Sequence, residues 1–459
     1  MTLREHSLLI ESWKAGLMSR RSFATRAMAL GVAAPSVAAV LAGRSEVFAQ
    51  DPTPTPYAPE THGNEDAAVK IRYWTILGGP DGVVMNELVR LFAEENPDIA
   101  VESLQGLTDF IPKLQAASIS DTAPDVALIR QTYIAPFASR NVLSPLETSE
   151  LEQSGIVAAD YDPTVWEFTK FRDQQYTIPI DIHCFALLHN NALLEAAGLG
   201  VPTTLEEWAA VNAATTKDDV MGYTTWLLGG GAPDIFSWYW YNFHRQFGGQ
   251  FLNEDGTKAA FNTQEGYDAL NWIKSMQDVG NKDNVPAYDL ERTGKVATWL
   301  DGPWISTVFF DPNAAPAAPD LASSPVPQHD PAVPAVWAQS HQFTLPRQGN
   351  QDDARRAASL KFIDWMTEHS VEWAKAGQVP ARNSARDEAL SSTDPLFANL
   401  DGWASQLSYA NYMPTVPGLL EVLTRVGAAA EGAIRGEWSA EEGLSQAEGE
   451  VNDILEETS

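Results

Sequence analysis

Alternating strand and helix signals, turns marked by Gly and Pro between them, and no repeat at solenoid or heptad periods predict an α/β protein with a parallel sheet covered by helices. VKIRYWTIL (69–77) is rich in β-branched and aromatic residues and ends at Gly78-Gly79-Pro80, a strand running into a turn. Asp81 to Asn96 places Val84, Leu88, Leu91 and Phe92 on one helical face and stops at Pro97. IAVESLQ (99–105) reads as a strand, 108–118 as a helix, and DVALI (125–129) as a buried strand. Ligands of such sheets bind at the carboxyl edge of the strands. A second α/β region follows. YTIPIDI (176–182) is a strand, CFALLHN (184–190) continues extended, and PTTLEEW (202–208) opens a helix with Thr204 and Glu207 spaced as a capping box. MGYTTWLL (221–228), KVATWLDG (295–302) and AVWAQSHQFTLP (335–346) read as strands, and 263–278 as a helix. Residues 311–334 are dense in Pro and Ala, a loop crossing, and Ser439 to Leu455 is a helix opened by a Ser439/Glu442 box.

The chain has 459 residues, room for about two to three domains. It is 44% hydrophobic and 20% charged, an ordinary globular composition. Thirty Lys and Arg against 61 Asp and Glu leave a net charge of −31, which disfavours nucleic acid and anionic lipid as partners. A lone cysteine, Cys184, excludes an intramolecular disulfide and a cysteine-rich zinc site.

Residues 1–49 read as an address. SRRSF (19–23), a mild Ala-rich apolar stretch from Ala24 to Leu41, and Val47-Phe48-Ala49 resemble a twin-arginine export signal with its cleavage site, and Met18 is an alternative start. The apolar stretch is short and poor in Leu and Ile for a permanent span, and no cysteine follows it for lipid attachment. The expected product is exported, periplasmic or extracytoplasmic, and tethered only if the signal stays uncut. Residues 50–65 form a Pro- and Thr-rich linker, with folding expected to start near Ala67.

There is no Gly-x-x-x-x-Gly-Lys phosphate loop, no His-Glu-x-x-His and no Gly-x-Ser-x-Gly elbow, so no catalytic residue, cofactor or metal is expected. Gly79 and Asp81 lie in GGPDG, whose backbone N–H groups are placed to receive an anion or a hydroxyl, although Asp81 also suits a helix N-cap. The eight histidines show no pairing at metal-ligand spacing, and Cys184 in its apolar strand reads as core. Trp74 closes the first strand, Trp238, Trp240 and Tyr241 fall in SWYWYNFHRQFGG, and Trp304 lies in DGPW. Aromatics at strand ends beside carboxylates suit a sugar: a ring face packs on the C–H face of a pyranose while polar groups bond its hydroxyls. The competing reading of each tryptophan is ordinary core packing.

From about residue 69 to the end, the chain resembles a family 1 extracellular solute-binding protein, the sugar-binding subunit of an ABC importer of the maltose or multi-sugar type. The pieces run in family order: YWT…GGPDG, ENPDIAVE, APDVALI, IPIDIH…LLHNNALLEAAGL with PTTLEEW, GG…FNTQEGYDAL, GKVATWLDGPW, WAQSHQFTLP and AGQVPAR. The resemblance implies a two-lobed, type II periplasmic-binding-protein fold with a ligand cleft between the lobes and hinge closure. Lobe one would take 66–182 and 323–382, and lobe two 183–322 and 383–459. It further implies a sugar ligand, a di- or oligosaccharide, a membrane permease as partner, and a monomer.

Site residues carry over one by one. Trp304 matches the family's sugar-stacking aromatic, and Asp181 and His183 its polar crossover residues, with His183 standing where maltose-type proteins often carry Glu. Trp238 and Tyr241 match the aromatic segment before Gly248-Gly249. Trp74, Gly79, Asp81 and Tyr133 follow the first strands, Asp301 precedes DGPW's glycine, His341 lies in the 335–346 segment, and Arg382 ends VPAR. Asp81, Asp181 and Asp301 beside tryptophans equally suit a cationic solute such as a polyamine. An exported glycosidase would instead need two carboxylates set across the scissile bond.

Overall fold

The computed structural model describes residues 59–458 except 108, 226–232, 285–287, 311–319 and 351. The export signal and most of the linker lie outside the described residues. Among those described, no helix is long and apolar enough to cross a membrane.

The first strands are β1 (Glu60–His62), β2 (Val69–Thr75), β3 (Ile99–Leu104) and β4 (Val126–Arg130). A small hairpin, β5 (Lys170–Phe171) and β6 (Gln174–Gln175), leads to β7 (Thr177–Pro179), β8 (Asp181–Cys184) and β9 (Ala186–Asn190). Then come β10 (Met221–Thr224), β11 (Val296–Asp301), β12 (Leu321–Ser324), β13 (Val336–Gln339), β14 (His341–Thr344), β15 (Val379–Pro380) and β16 (Ala410–Tyr412).

They assemble into a six-stranded sheet ordered β1-β3-β2-β4-β14-β7, a four-stranded sheet β10-β11-β9-β12, and a second four-stranded sheet β15-β8-β13-β16. The expected parallel pairing holds for β2 with β3 and β4, but β1, β14 and β7 join antiparallel, so the large sheet is mixed. β1 lies inside the span read as linker. Its three residues, ETH, carry no apolar alternation, and only the pairing with β3 and the burial of His62 make them a strand.

Two runs that read as single strands each divide between sheets. Residues 176–190 give β7 in the six-stranded sheet, β8 in the connecting sheet and β9 in the other four-stranded sheet. The return path mirrors it through β12, β13 and β14, with the 335–346 run breaking at Ser340. Leu321–Ser324, set in the expected crossing and the start of lobe one, is paired along its length with β9. The chain rejoins the six-stranded sheet only at His341.

Among the longer helices, α1 (Pro80–Glu95) buries Met85, Leu88, Val89 and Phe92 completely, a stripe turned by about one position from the one predicted; Val84 and Leu91 flank it, partly buried. The box at α2 (Leu205–Thr215) forms as expected: the Glu207 N–H donates to Thr204 Oγ1 at 3.1 Å and the Thr204 N–H to Glu207 Oε2 at 3.2 Å. The aromatic segment is a helix, α3 (Pro233–Gln246), rather than a strand end, with Phe236, Trp238, Tyr239, Trp240, Tyr241 and Phe243 all buried. A helix apolar all round belongs inside the core, and α3 packs along α5 (Leu419–Arg435), near α4 (Gln264–Gly280). The C-terminal helix, α6 (Ala440–Thr458), opens on the Ser439/Glu442 box.

Candidate functional site

The three-sheet stairway puts its turns side by side. Asp181 opens β8, and the two-residue period of a strand places His183 on the same face. β8 pairs antiparallel with β13, which leads directly into His341, the first residue of β14. All three side chains are buried. The Asp181 carboxylate accepts from His183 Nδ1 at 3.1 Å and the His341 backbone N–H at 2.8 Å on Oδ1. Its Oδ2 accepts from His341 Nδ1 at 2.7 Å and Trp373 Nε1 at 2.8 Å. Burial alone would raise this carboxyl's pKa, but the two imidazoles bonded to it hold it well below the usual carboxylate range. Burial, with the neighbouring His341, lowers His183 to about 4, so its ring is neutral at pH 7.

Aromatic rings wall this group. Trp304 is half-buried in a 3-10 turn just after β11, its indole folded back over Gly302, where a Cβ would come within 2.2 Å of the ring. Its centroid lies 5.9 Å from that of His183, 6.3 Å from Phe185 and 6.5 Å from Trp337. Trp337 stacks on Trp238 at 4.9 Å, and the Arg130 guanidinium sits over Trp238 at 5.3 Å. Arg130 also reaches the Tyr133 hydroxyl at 3.4 Å. Asp81 is raised by burial, and the charges of His341, Asp181 and Arg130 all act on it, which places it at the same group; its Oδ1 accepts the Gly82 N–H at 2.8 Å. Gly79, exposed, is the N-cap of α1 beside it.

At the end of β11, Asp301 accepts the Gly302 N–H at 2.8 Å and a hydrogen bond from the Trp304 side chain. Burial pushes its carboxyl up to about 8. Glu291 is fully buried, neither of its carboxylate oxygens has a partner among the described residues, and burial together with Asp301 holds its pKa well above the usual range.

The other predicted residues stand apart. The Tyr241 hydroxyl donates to the Tyr412 carbonyl at 3.0 Å and its ring meets Phe251 edge-on. Arg382 spends its guanidinium on Asp364 at 3.0 Å and Asp160 at 3.5 Å, with Tyr161 beside it, all outside the histidine group. Trp74 is half-buried against the cluster of Phe110, Leu114, Ile129 and Tyr133. Cys184 is core, its thiol raised by burial.

Sequence reasoning missed Arg130, Trp337, Trp373 and Glu291. Arg130 ends β4, so the strand-end logic that selected Tyr133 applied to it equally. The donor atoms of Asp181, His183 and His341 lie within 4.8 Å of one another, a spacing a metal ion can bridge. Histidines 158 positions apart in the chain give no sequence signal of such pairing. Two of the four donors on Asp181 are a backbone amide and an indole, which keep their protons, so the carboxylate is filled as it stands.

A family model described as bacterial extracellular solute-binding protein matches residues 79–373. The cyclic α-maltosyl-1,6-maltose binding protein from Arthrobacter globiformis superposes with a TM-score of 0.70 at 23% identity, over 85% of this chain and 99% of its own. The GacH receptor of Streptomyces glaucescens, solved unliganded and with acarbose, gives 0.71 at 20% identity, over 86% and 100%. UgpB from Mycobacterium tuberculosis, in complex with glycerophosphocholine, gives 0.71 at 19% identity, over 84% and 98%. These likenesses establish the two-lobed type II binding-protein fold. No curated protein matches the chain by sequence.

Proposed function

The chain belongs to the bacterial extracellular solute-binding proteins, and from that premise we propose that it captures a neutral sugar, a di- or oligosaccharide, and delivers it to the membrane permease of an ABC importer. The six-stranded sheet would carry one lobe and the β10-β11-β9-β12 sheet the other. The crossings would run through β7–β9 and β12–β14, which step between the sheets. The signal at 1–49 would route the chain through the twin-arginine pathway, and it would act as a monomer without nucleic acid.

The observation that carries the reading is the half-buried Trp304 ring beside Asp181, His183 and His341, at the point where the chain passes between sheets. A pyranose needs one aromatic face and a few fixed polar groups. Stacking plus several hydrogen bonds reaches micromolar affinity, about −8 kcal/mol. Catalysis is not part of this reading: an oligosaccharide incubated with the protein should be recovered intact.

A second reading has its own support. Glu291 and Asp301 are buried carboxyls without a cationic partner among the described residues, and Trp304 is bonded to one of them. That pair suits an ammonium ligand. UgpB shows that the fold also accommodates a choline-bearing solute.

A thermal-shift panel of neutral sugars, polyamines and amino acids on the full chain separates the two. A ligand at ~100 times its dissociation constant adds about 2.7 kcal/mol of stability. The sugar reading expects a raised Tm with one class of di- or oligosaccharide, lost in Trp304→Ala. A rise confined to amines would replace it with the second reading.

A further inference from the structure

Three features of the Asp181 group go beyond a generic polar patch. An ionised carboxylate only accepts hydrogen bonds, so a ring nitrogen at hydrogen-bond distance from it must be the protonated one. Both His183 and His341 turn Nδ1 to Asp181, at 3.1 and 2.7 Å. In a neutral imidazole the second nitrogen then carries a lone pair, and among the described residues the hydrogen bonds of both rings run through Nδ1 alone. The two rings lie 4.6 Å apart at 39°, so their free edges are neighbours.

We propose that Asp181 is a positioning residue that locks His183 and His341 in the Nδ1–H tautomer, so that the site offers two adjacent Nε2 acceptors and selects a ligand edge bearing two neighbouring hydroxyl donors. The choice of hydroxyls rests on the sugar reading above; the tautomers do not. Carbonyl, carboxylate or phosphate groups meet lone pairs and are rejected. The Arg130 charge, which acts on His183, works against an ammonium or a metal ion at the same spot. Trp373 fixes the far side of the carboxylate, so the acceptor pair is built into the fold before any ligand arrives.

The test has a ligand-free arm. Long-range 1H–15N correlation spectra of the full chain, 15N-labelled at histidine and recorded at pH 8, report each tautomer; His183→Gln and His341→Gln assign the two rings. Both should show a protonated Nδ1 and a bare Nε2, and an Nε2–H form at either ring would overturn the proposal. In the ligand arm, the neutral sugar that most raises Tm is compared with its monodeoxy forms. Two neighbouring positions should each lose about ten-fold in affinity, the effect of leaving a buried acceptor unpaired. Losses under about two-fold at every position, with the parent sugar still binding, would overturn the acceptor pair and leave the sugar reading standing. If no neutral sugar binds, the sugar reading fails and the hydroxyl class with it, while the spectra still decide the tautomers. ZnCl2 added after EDTA that moves both Nε2 signals and displaces the sugar would make the pair a metal seat, also overturning the proposal. Asp181→Asn should put Nε2–H on one ring and weaken the sugar by more than about ten-fold. Its amide NH2 must face a fixed donor, so if that variant fails to fold, the wild-type spectra decide.

Discussion

Asp301 and Asp181 are both buried carboxylates at the end or start of a strand, yet their surroundings push them in opposite directions. Asp181 meets four hydrogen-bond donors and stays ionised. Asp301 has a backbone amide and the Trp304 side chain, with Glu291 nearby, and burial carries it to about 8. A carboxyl whose folded pKa lies above its unfolded value near ~3.9 supplies stability that is complete below that value and lost as pH rises through the folded one. The loss by pH 8 is on the order of 3–5 kcal/mol. Asp301→Asn keeps the acceptor for the Gly302 N–H but does not ionise. Its Tm should therefore fall less between pH 5 and 8 than the wild type's, and parallel melting curves across that range would contradict this account of Asp301. Trp304, Asp181, His183 and His341, singled out by the order of the motifs, come together in the structure. The partners of Arg382 and Tyr241 were not legible in the sequence, because Asp364, Asp160 and the Tyr412 carbonyl come from other parts of the chain. Glu291 carried no signal, since its isolation is a property of the packed interior.

At the scale of elements, what is local was legible. The Thr204/Glu207 and Ser439/Glu442 boxes form where the spacing placed them, because each is closed within one turn. The division of 176–190 and 335–346 into strands of different sheets was not, because β8, β9, β13 and β14 are buried at every position and show no alternation to mark a boundary. α3 escaped for a related reason: an aromatic run buried on all sides has neither helix nor strand period. Close approach of elements brings its own test. Gly280 ends α4 against β10, where a Cβ would fall 2.3 Å from the Tyr223 carbonyl oxygen and 2.7 Å from Asn212 Oδ1. Gly280→Ala should push the helix off the strand and cost about 1–3 kcal/mol in denaturant unfolding; an unchanged midpoint would show that this contact relaxes freely.

Across the molecule, the group built on Asp181 lies on the two antiparallel paths that connect the larger sheets, so a ligand held there touches the segments any lobe closure must bend. The net charge of −31 accords with this placement: the whole surface turns away polyanions, while the Asp181 group offers aromatic faces and the neutral His183 imidazole. The family order of the motifs carried the two-lobed architecture; the route between lobes required the structure, since VWAQSH (336–341) reads as one continuous strand and carries no turn signal where the chain changes sheets. The most direct measurement is a crystal structure of the full chain with the sugar that raises its Tm most. The account predicts a pyranose stacked on Trp304, with two adjacent hydroxyls at hydrogen-bond distance from His183 Nε2 and His341 Nε2. A sugar bound elsewhere, or one turning acceptor groups to those nitrogens, would contradict it.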